Sequence, residues 1–223
     1  MYRNFIFSIV FGAFGITLLC CLGVWQLQRL EWKTQLLINL EQRIVESPIE
    51  LGEDLDEERD QYRSVVVSGI LQDKEIHVLT SRKNVGPGFL VISPFRLLNG
   101  KVILVDRGFI EESKKNTIRT GGTITITGNL LWPEELDRFT PDPNIKKNIW
   151  FARDLNRMAE YLGASEILVV ARKEDPPGTT LPQRVGINIA NNHLNYAITW
   201  FSLACIWFGM TSLFIYRIKK NSV

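Results

Sequence analysis

Cysteine is scarce in this chain and sits where redox or metal chemistry cannot use it. Cys20, Cys21 and Cys205 all fall in stretches without a single Asp, Glu, Lys or Arg, residues 4–28 and 185–216. The segment between those stretches therefore has no thiol for a disulfide, a zinc site, or a CxxC or CxxxC copper pair, and Met1, Met158 and Met210 are too scattered to replace one. A basic excess is also missing. Setting aside Arg3, Arg217, Lys219 and Lys220 at the two ends leaves 22 basic residues in the middle segment against all 24 acidic ones. A protein that displaces counterions from nucleic-acid phosphates needs the opposite balance, so no nucleic-acid partner is expected. Histidine occurs only twice, as His77 and His193.

The two uncharged stretches are the first thing the chain does have. Phe5 to Leu27 runs twenty-three residues without a charge, and at about 1.5 Å rise per residue such a helix crosses a hydrocarbon core of roughly 30 Å. It is too long for a signal-peptide core, no small-x-small cleavage site follows it, and Leu19 is too bulky to precede a lipoprotein-type cysteine; the segment is expected to be retained. A second span is expected at residues 194–216, with Trp and Tyr near its ends and Arg217, Lys219 and Lys220 immediately after. Those basic residues place both short tails in the cytoplasm and residues 28–193 on the outer side, the periplasm in a bacterial cell. The absence of an arginine-rich stretch before Phe5 favours a bacterial inner membrane over a mitochondrial one.

Between the spans, Leu30, Leu36, Leu37, Leu40 and Ile44 recur at helical spacing, so the first helix is expected to continue outward until Ser47-Pro48 stops it. The acidic run 53–61 reads as a solvated turn or short helix. From Tyr62 the pattern becomes short β-branched runs separated by turn residues, with Asn99-Gly100 as the strongest hairpin signal. One helix interrupts the strands, with Asp154 as N-cap and Gly163 as stop. The expected fold is an α+β membrane protein in which two transmembrane helices flank a strand-rich, mostly antiparallel domain.

Catalytic constellations are hard to find in that domain. His77 stands alone in a strand-like alternation and reads as an exposed or core-edge histidine. Arg107 could bind an anion or pair with its neighbour Asp106. Gly86-Pro87-Gly88 is too short for a phosphate loop and precedes a strand rather than a helix. The unusual feature lies at the entrance of the second span, Asn191-Asn192-His193-Leu194-Asn195-Tyr196. On a helix His193, Tyr196, Trp200 and Trp207 form one stripe, an imidazole above aromatic rings. Aromatic-belt and capping roles account for the tyrosine and the asparagines, but not for the histidine. A neutral imidazole is a good iron ligand and an aromatic groove suits a flat apolar macrocycle, which makes His193 a candidate axial haem ligand.

Four stretches carry a resemblance. Leu22-Gly-Val-Trp-Gln-Leu-Gln-Arg-Leu-Glu-Trp-Lys33, the motifs Pro87-Gly-Phe and Leu104-Val-Asp-Arg-Gly-Phe109, and Asn191-Asn-His-Leu-Asn-Tyr-Ala-Ile-Thr-Trp-Phe201 together resemble the Surfeit locus protein 1 family over nearly the whole chain. Asp106 stands where that family more often carries Asn, and Phe109 where Trp is frequent. The resemblance implies a two-span, non-enzymatic assembly factor of the respiratory chain that helps haem a reach subunit I of an aa3-type cytochrome c oxidase. It implies His193 and Trp200 as the haem-binding residues, His193 ligating the iron, and the helical stripe adds Tyr196 to that candidate site. Subunit I and haem a synthase are the implied partners, and self-association is compatible with the sequence. A scaffold that holds subunit I without binding haem is the competing reading, and an enzyme that modifies haem is a third, with no redox centre or acid/base pair to support it.

Overall fold

The computed structural model describes residues 2–119, 121–183, 185–187 and 189–220, with side chains from Phe5 onward. The chain divides into two compact units, Met1–Asn39 with Ile187–Val223, and Leu40–Gly186.

The first unit is a pair of helices, α1 (Tyr2–Val45) and α4 (His193–Lys220). Both are long and apolar enough to cross a membrane, and only 6% of the most apolar window of each is buried. Low burial sets them apart from the core helices of a water-soluble protein, which would hide that surface. The charge-free run explains the span, while the heptad-like series Leu30, Leu37 and Ile44 carries α1 beyond it. No glycine or proline intervenes until Pro48. Arg217, Lys219 and Lys220 occupy the last turn of α4, where cations also complement the helix dipole.

The second unit is built on one seven-stranded sheet. Its strands are β1 (Ile49–Glu50), β2 (Ser64–Leu71), β3 (Ile76–Arg82), β4 (Gly86–Leu97), β5 (Val102–Glu111), β6 (Gly122–Leu130) and β7 (Leu168–Asp175). They lie in the order β1-β2-β6-β7-β5-β4-β3, and β2 also pairs with β4, so five strands close on themselves as a barrel. Gly69 makes that closure: a Cβ there would collide with the Arg96 carbonyl on β4. Most pairings are antiparallel, as expected; β5 with β7 and β1 with β2 are parallel.

Period-2 alternation sorts the side chains into two layers. Ile103, Val105, Val169 and Ala171 join Val65, Val67, Phe95 and Ile126 in one buried cluster enclosed by the strands. Leu104, Leu168 and Val170 point the other way, to a second cluster with Ile92, Phe109 and Trp150 that is capped by α3 (Leu155–Leu162) through Met158, Ala159 and Leu162. Asp154 caps α3 by accepting from the Arg157 N–H, and Gly163 ends it in the left-handed conformation, φ 69°. The β4–β5 turn is a three-residue loop with Gly100 at φ 86°, closed by Leu97 N–H to Lys101 O at 2.8 Å. A short helix α2 (Glu57–Asp60) forms in the acidic run.

Candidate functional site

Small residues on one face of α1 let α4 approach it. Gly12 faces Thr211, Gly15 faces Trp207 and Gly23 faces Phe201; a Cβ on Gly15 would fall 2.5 Å from the Trp207 indole nitrogen, and one on Gly23 2.7 Å from the Phe201 ring. These pairs run in opposite directions along the chain, so the helices pack antiparallel, with Ala197 and Ala204 buried between them. In lipid such close packing replaces the hydrophobic effect as the force that holds helices together.

One more pair completes the series at the outer end. Gln26 follows Gly23 on the same face of α1 and is 8% exposed, and its Oε1 lies 2.7 Å from Nδ1 of half-buried His193, the first residue of α4. The amide oxygen can only accept, so the imidazole donates from Nδ1, and in the neutral ring that tautomer leaves the lone pair on Nε2. Among the described residues Nε2 has no hydrogen-bond partner. An acceptor hydrogen-bonded to the other ring nitrogen is what fixes the tautomer and ring orientation of metal-binding histidines in general. The approach to His193 is tied down as well: Lys33 Nζ donates to Ala190 O at 2.6 Å, and the Tyr196 N–H to Asn192 O at 3.3 Å.

Below the imidazole, Trp200 is half-buried, about 10 Å further along α4 at roughly 1.5 Å per residue. Its Nε1–H is shielded from solvent and finds no acceptor among the described residues, and the same holds for Trp207. Tyr196 is 56% exposed and does not enter the packed seam; it lies on the flank of α4 where Trp200 and Trp207 also sit. His193 and Trp200 are thus brought onto one line with Gln26 behind the imidazole, and Tyr196 borders them. Gln26 has no place in the stripe read from the sequence, because its role depends on two helices meeting. The signal for it was a polar residue at the end of a charge-free run, in helical register with Gly12, Gly15 and Gly23.

The charged residues of the second unit do a different job. His77 is 5% exposed and its Nε2 lies 2.9 Å from Glu75, which also takes Arg119 at 2.5 Å. It is a core-edge histidine in an ion cluster. Burial pushes the Glu75 carboxyl up, but the hydrogen bonds from His77 and Arg119 outweigh it and leave the pKa below the ordinary value. Arg107 does not pair with Asp106, as adjacency in sequence suggested. Neighbours on a strand point to opposite faces: Arg107 binds Glu174 of β7 at 3.0 Å, while Asp106 binds Arg153 at 3.2 Å on the other side.

Comparison with known proteins bears on the whole chain. The SURF1 family model matches residues 13–205. The chain belongs to the SURF1 family. Surfeit locus protein 1 of Gallus gallus is 34% identical over 88% of this chain and 70% of its own length. A SURF1-like protein of Caenorhabditis elegans is 31% identical over 89% and 70%, and Surfeit locus protein 1 of Homo sapiens 31% over 84% and 72%. The SURF1 match takes in Gly15, Gly23, Gln26, His193 and Trp200 together with the entire barrel, so the outer part of the helix pair and its polar latch lie in the matched region.

Proposed function

We propose that this chain is a membrane-anchored assembly factor for a haem-copper terminal oxidase, which binds haem a as cargo at His193 and assists its delivery to subunit I. Oxidase assembly is what the SURF1 family is known for, and the observation that carries the haem reading is the Gln26–His193 bond. That bond holds the imidazole by Nδ1 and leaves Nε2 as the nitrogen free to ligate, at the outer end of the apolar run. The residues fit such a cargo. Imidazole nitrogen is a standard haem iron ligand, and the half-buried ring of Trp200 adds aromatic surface on the same line of α4 below His193.

A carrier must also release what it holds. A single imidazole on a two-helix scaffold, with Tyr196 exposed at its side, gives one strong contact and an open flank, in contrast to a closed pocket with two axial ligands. The protein's own part in this reading is to bind, orient and hand over; no bond-making step is assigned to it. Its partners are subunit I and haem a synthase. Both tails lie on the cytoplasmic side and the barrel on the outer side, which in a bacterial inner membrane is the periplasm.

Haem titration of the purified protein in detergent tests the reading. His193→Ala should abolish the haem a spectrum or weaken binding at least a hundredfold, Trp200→Leu should weaken it less, and His77→Ala should leave it unchanged. If His193→Ala kept the parent's spectrum and affinity, the haem assignment would fall and the chain would be a scaffold for subunit I.

A further inference from the structure

His193, Trp200, Trp207 and Phe214 follow one another at steps of seven residues along α4. On packed helices seven-residue steps return to the same flank, so this series runs as one line from the imidazole towards the inner end of the helix. It ends in a groove of about 540 Å³ between α4 and α1, lined by Phe7, Phe11, Gly12, Trp207, Met210 and Phe214. Its walls are firm. Trp207 is pressed against Gly15 and its ring meets Phe11 at a centroid distance of 5.6 Å, and Phe11 in turn stacks on Phe7 at 6.0 Å.

We propose that the outer mouth of this groove takes the end of the isoprenoid side chain of the haem whose iron His193 ligates, so that the two helices grip the cargo at both ends. The proposal rests on the ligand role of His193 and deepens it. Length supports this occupant. The isoprenoid chain of haem a, together with the ring carbon that bears it, reaches on the order of 20 Å from the iron at about 1.3 Å of advance per carbon–carbon bond. Trp207 lies fourteen residues past His193, about 21 Å at roughly 1.5 Å per residue. The end of the chain therefore arrives at the outer mouth of the groove, at Phe11 and Trp207. The wall chemistry suits a branched, unsaturated chain, since aromatic faces and a methionine thioether adapt to methyl branches and alkene carbons.

The gain in affinity has a ceiling. In lipid or detergent an isoprenoid chain is already in apolar surroundings, so entering the groove adds packing contacts without a desolvation gain, and the expected preference is about tenfold. Haem o and haem b isolate the contribution, because haem o carries the isoprenoid chain without the formyl group of haem a, and haem b lacks both. Wild-type protein should bind haem o about tenfold more tightly than haem b. Met210→Trp, which fills the groove from its exposed side, should reduce that ratio to near one while leaving haem b affinity unchanged. Ile206→Trp, on the same helix outside the groove, should preserve the ratio. His193→Ala should weaken both haems alike.

Equal affinities for haem o and haem b in the wild type would overturn the proposal, and would leave the groove to a phospholipid acyl chain. An equal loss of both haems in Met210→Trp would overturn it too, by showing that the groove is structural. If His193→Ala left both affinities unchanged while the haem o preference persisted, the ligand role would fail and the groove assignment would stand.

Discussion

Gln26 and His193 are 167 positions apart in the chain, and their side chains meet at 2.7 Å across the outer end of the helix pair. On the haem reading proposed above, the contact makes Gln26 a positioning residue. Removing an outer-shell partner of a metal-binding histidine typically costs 10- to 100-fold in affinity. Gln26→Leu should therefore weaken haem binding by about that factor without abolishing it, whereas Gln26→Glu, which keeps an acceptor opposite Nδ1, should retain most of the affinity and raise the basicity of the ligand. Titration together with the reduction potential of the bound haem checks both, since the glutamate variant should lower the potential and a merely structural glutamine would leave it where it was.

Asp106 is fully buried, and burial pushes its carboxyl above the ordinary value; Arg153 and the Gly108 N–H offset only part of this. A carboxyl whose folded pKa is raised contributes stability below its unfolded pKa, about 3.9, and loses that contribution as pH rises through the folded value. Asp106→Asn keeps an acceptor for Gly108, and Arg153 keeps Glu135 as partner. Relative to wild type, the variant should therefore gain stability between pH 4 and pH 7, as read from urea midpoints at a series of pH values. A pH-independent difference would contradict the assignment.

Asp60 gives the opposite sign. The Arg59 hydrogen bond, helped by the Asp56 N–H and Arg63, holds its carboxyl far below the usual range. That contribution is present above pH 4 and disappears as pH falls through the lowered value. Wild type should lose stability below pH 4, and Asp60→Asn should be less stable at neutral pH with a flatter acid limb.

The Arg107–Glu174 pair joins β5 to β7 with both side chains about 95% buried. Glu174→Gln leaves a guanidinium without its counter-charge, at a cost of about 3–5 kcal/mol. Replacing both residues by Met should recover much of that loss. Urea unfolding of the three proteins, followed by near-UV circular dichroism, separates the outcomes.

Membrane orientation is open to a direct check. A periplasm-active reporter inserted in the exposed Asn99-Gly100 turn should be active and one fused after Val223 silent. The reverse pattern would invert the assignment.

Features set by neighbours in sequence were legible in advance. The two charge-free runs, the Asn99-Gly100 turn and the Asp154 and Gly163 caps each depend on a few adjacent residues, and local chemistry determines them. What was hidden depends on distant segments. Arg107 finds Glu174 and not Asp106 because strand geometry separates adjacent side chains, and no local pattern reveals which strand lies alongside. Gln26 was visible only as a polar residue in an apolar context until the glycine face of α1 brought it to His193. Tyr196 shared a helical stripe with Trp200, yet the seam passes through Ala197 and Ala204, which leaves the tyrosine to the side.

The position of β7 has a consequence for how the molecule is made. β5 and β6 are consecutive in the chain but do not pair with each other; β7 lies between them, bonded to both. As synthesis proceeds from the N-terminus, the barrel wall stays open along two unpaired edges until residues 168–175 emerge, and such edges invite pairing with foreign chains. Only seventeen residues separate Asp175 from the start of α4 at His193. The strand that seals the wall and the apolar helix that begins at His193 thus leave the ribosome almost together, so the start of α4 emerges just as the barrel acquires its last strand.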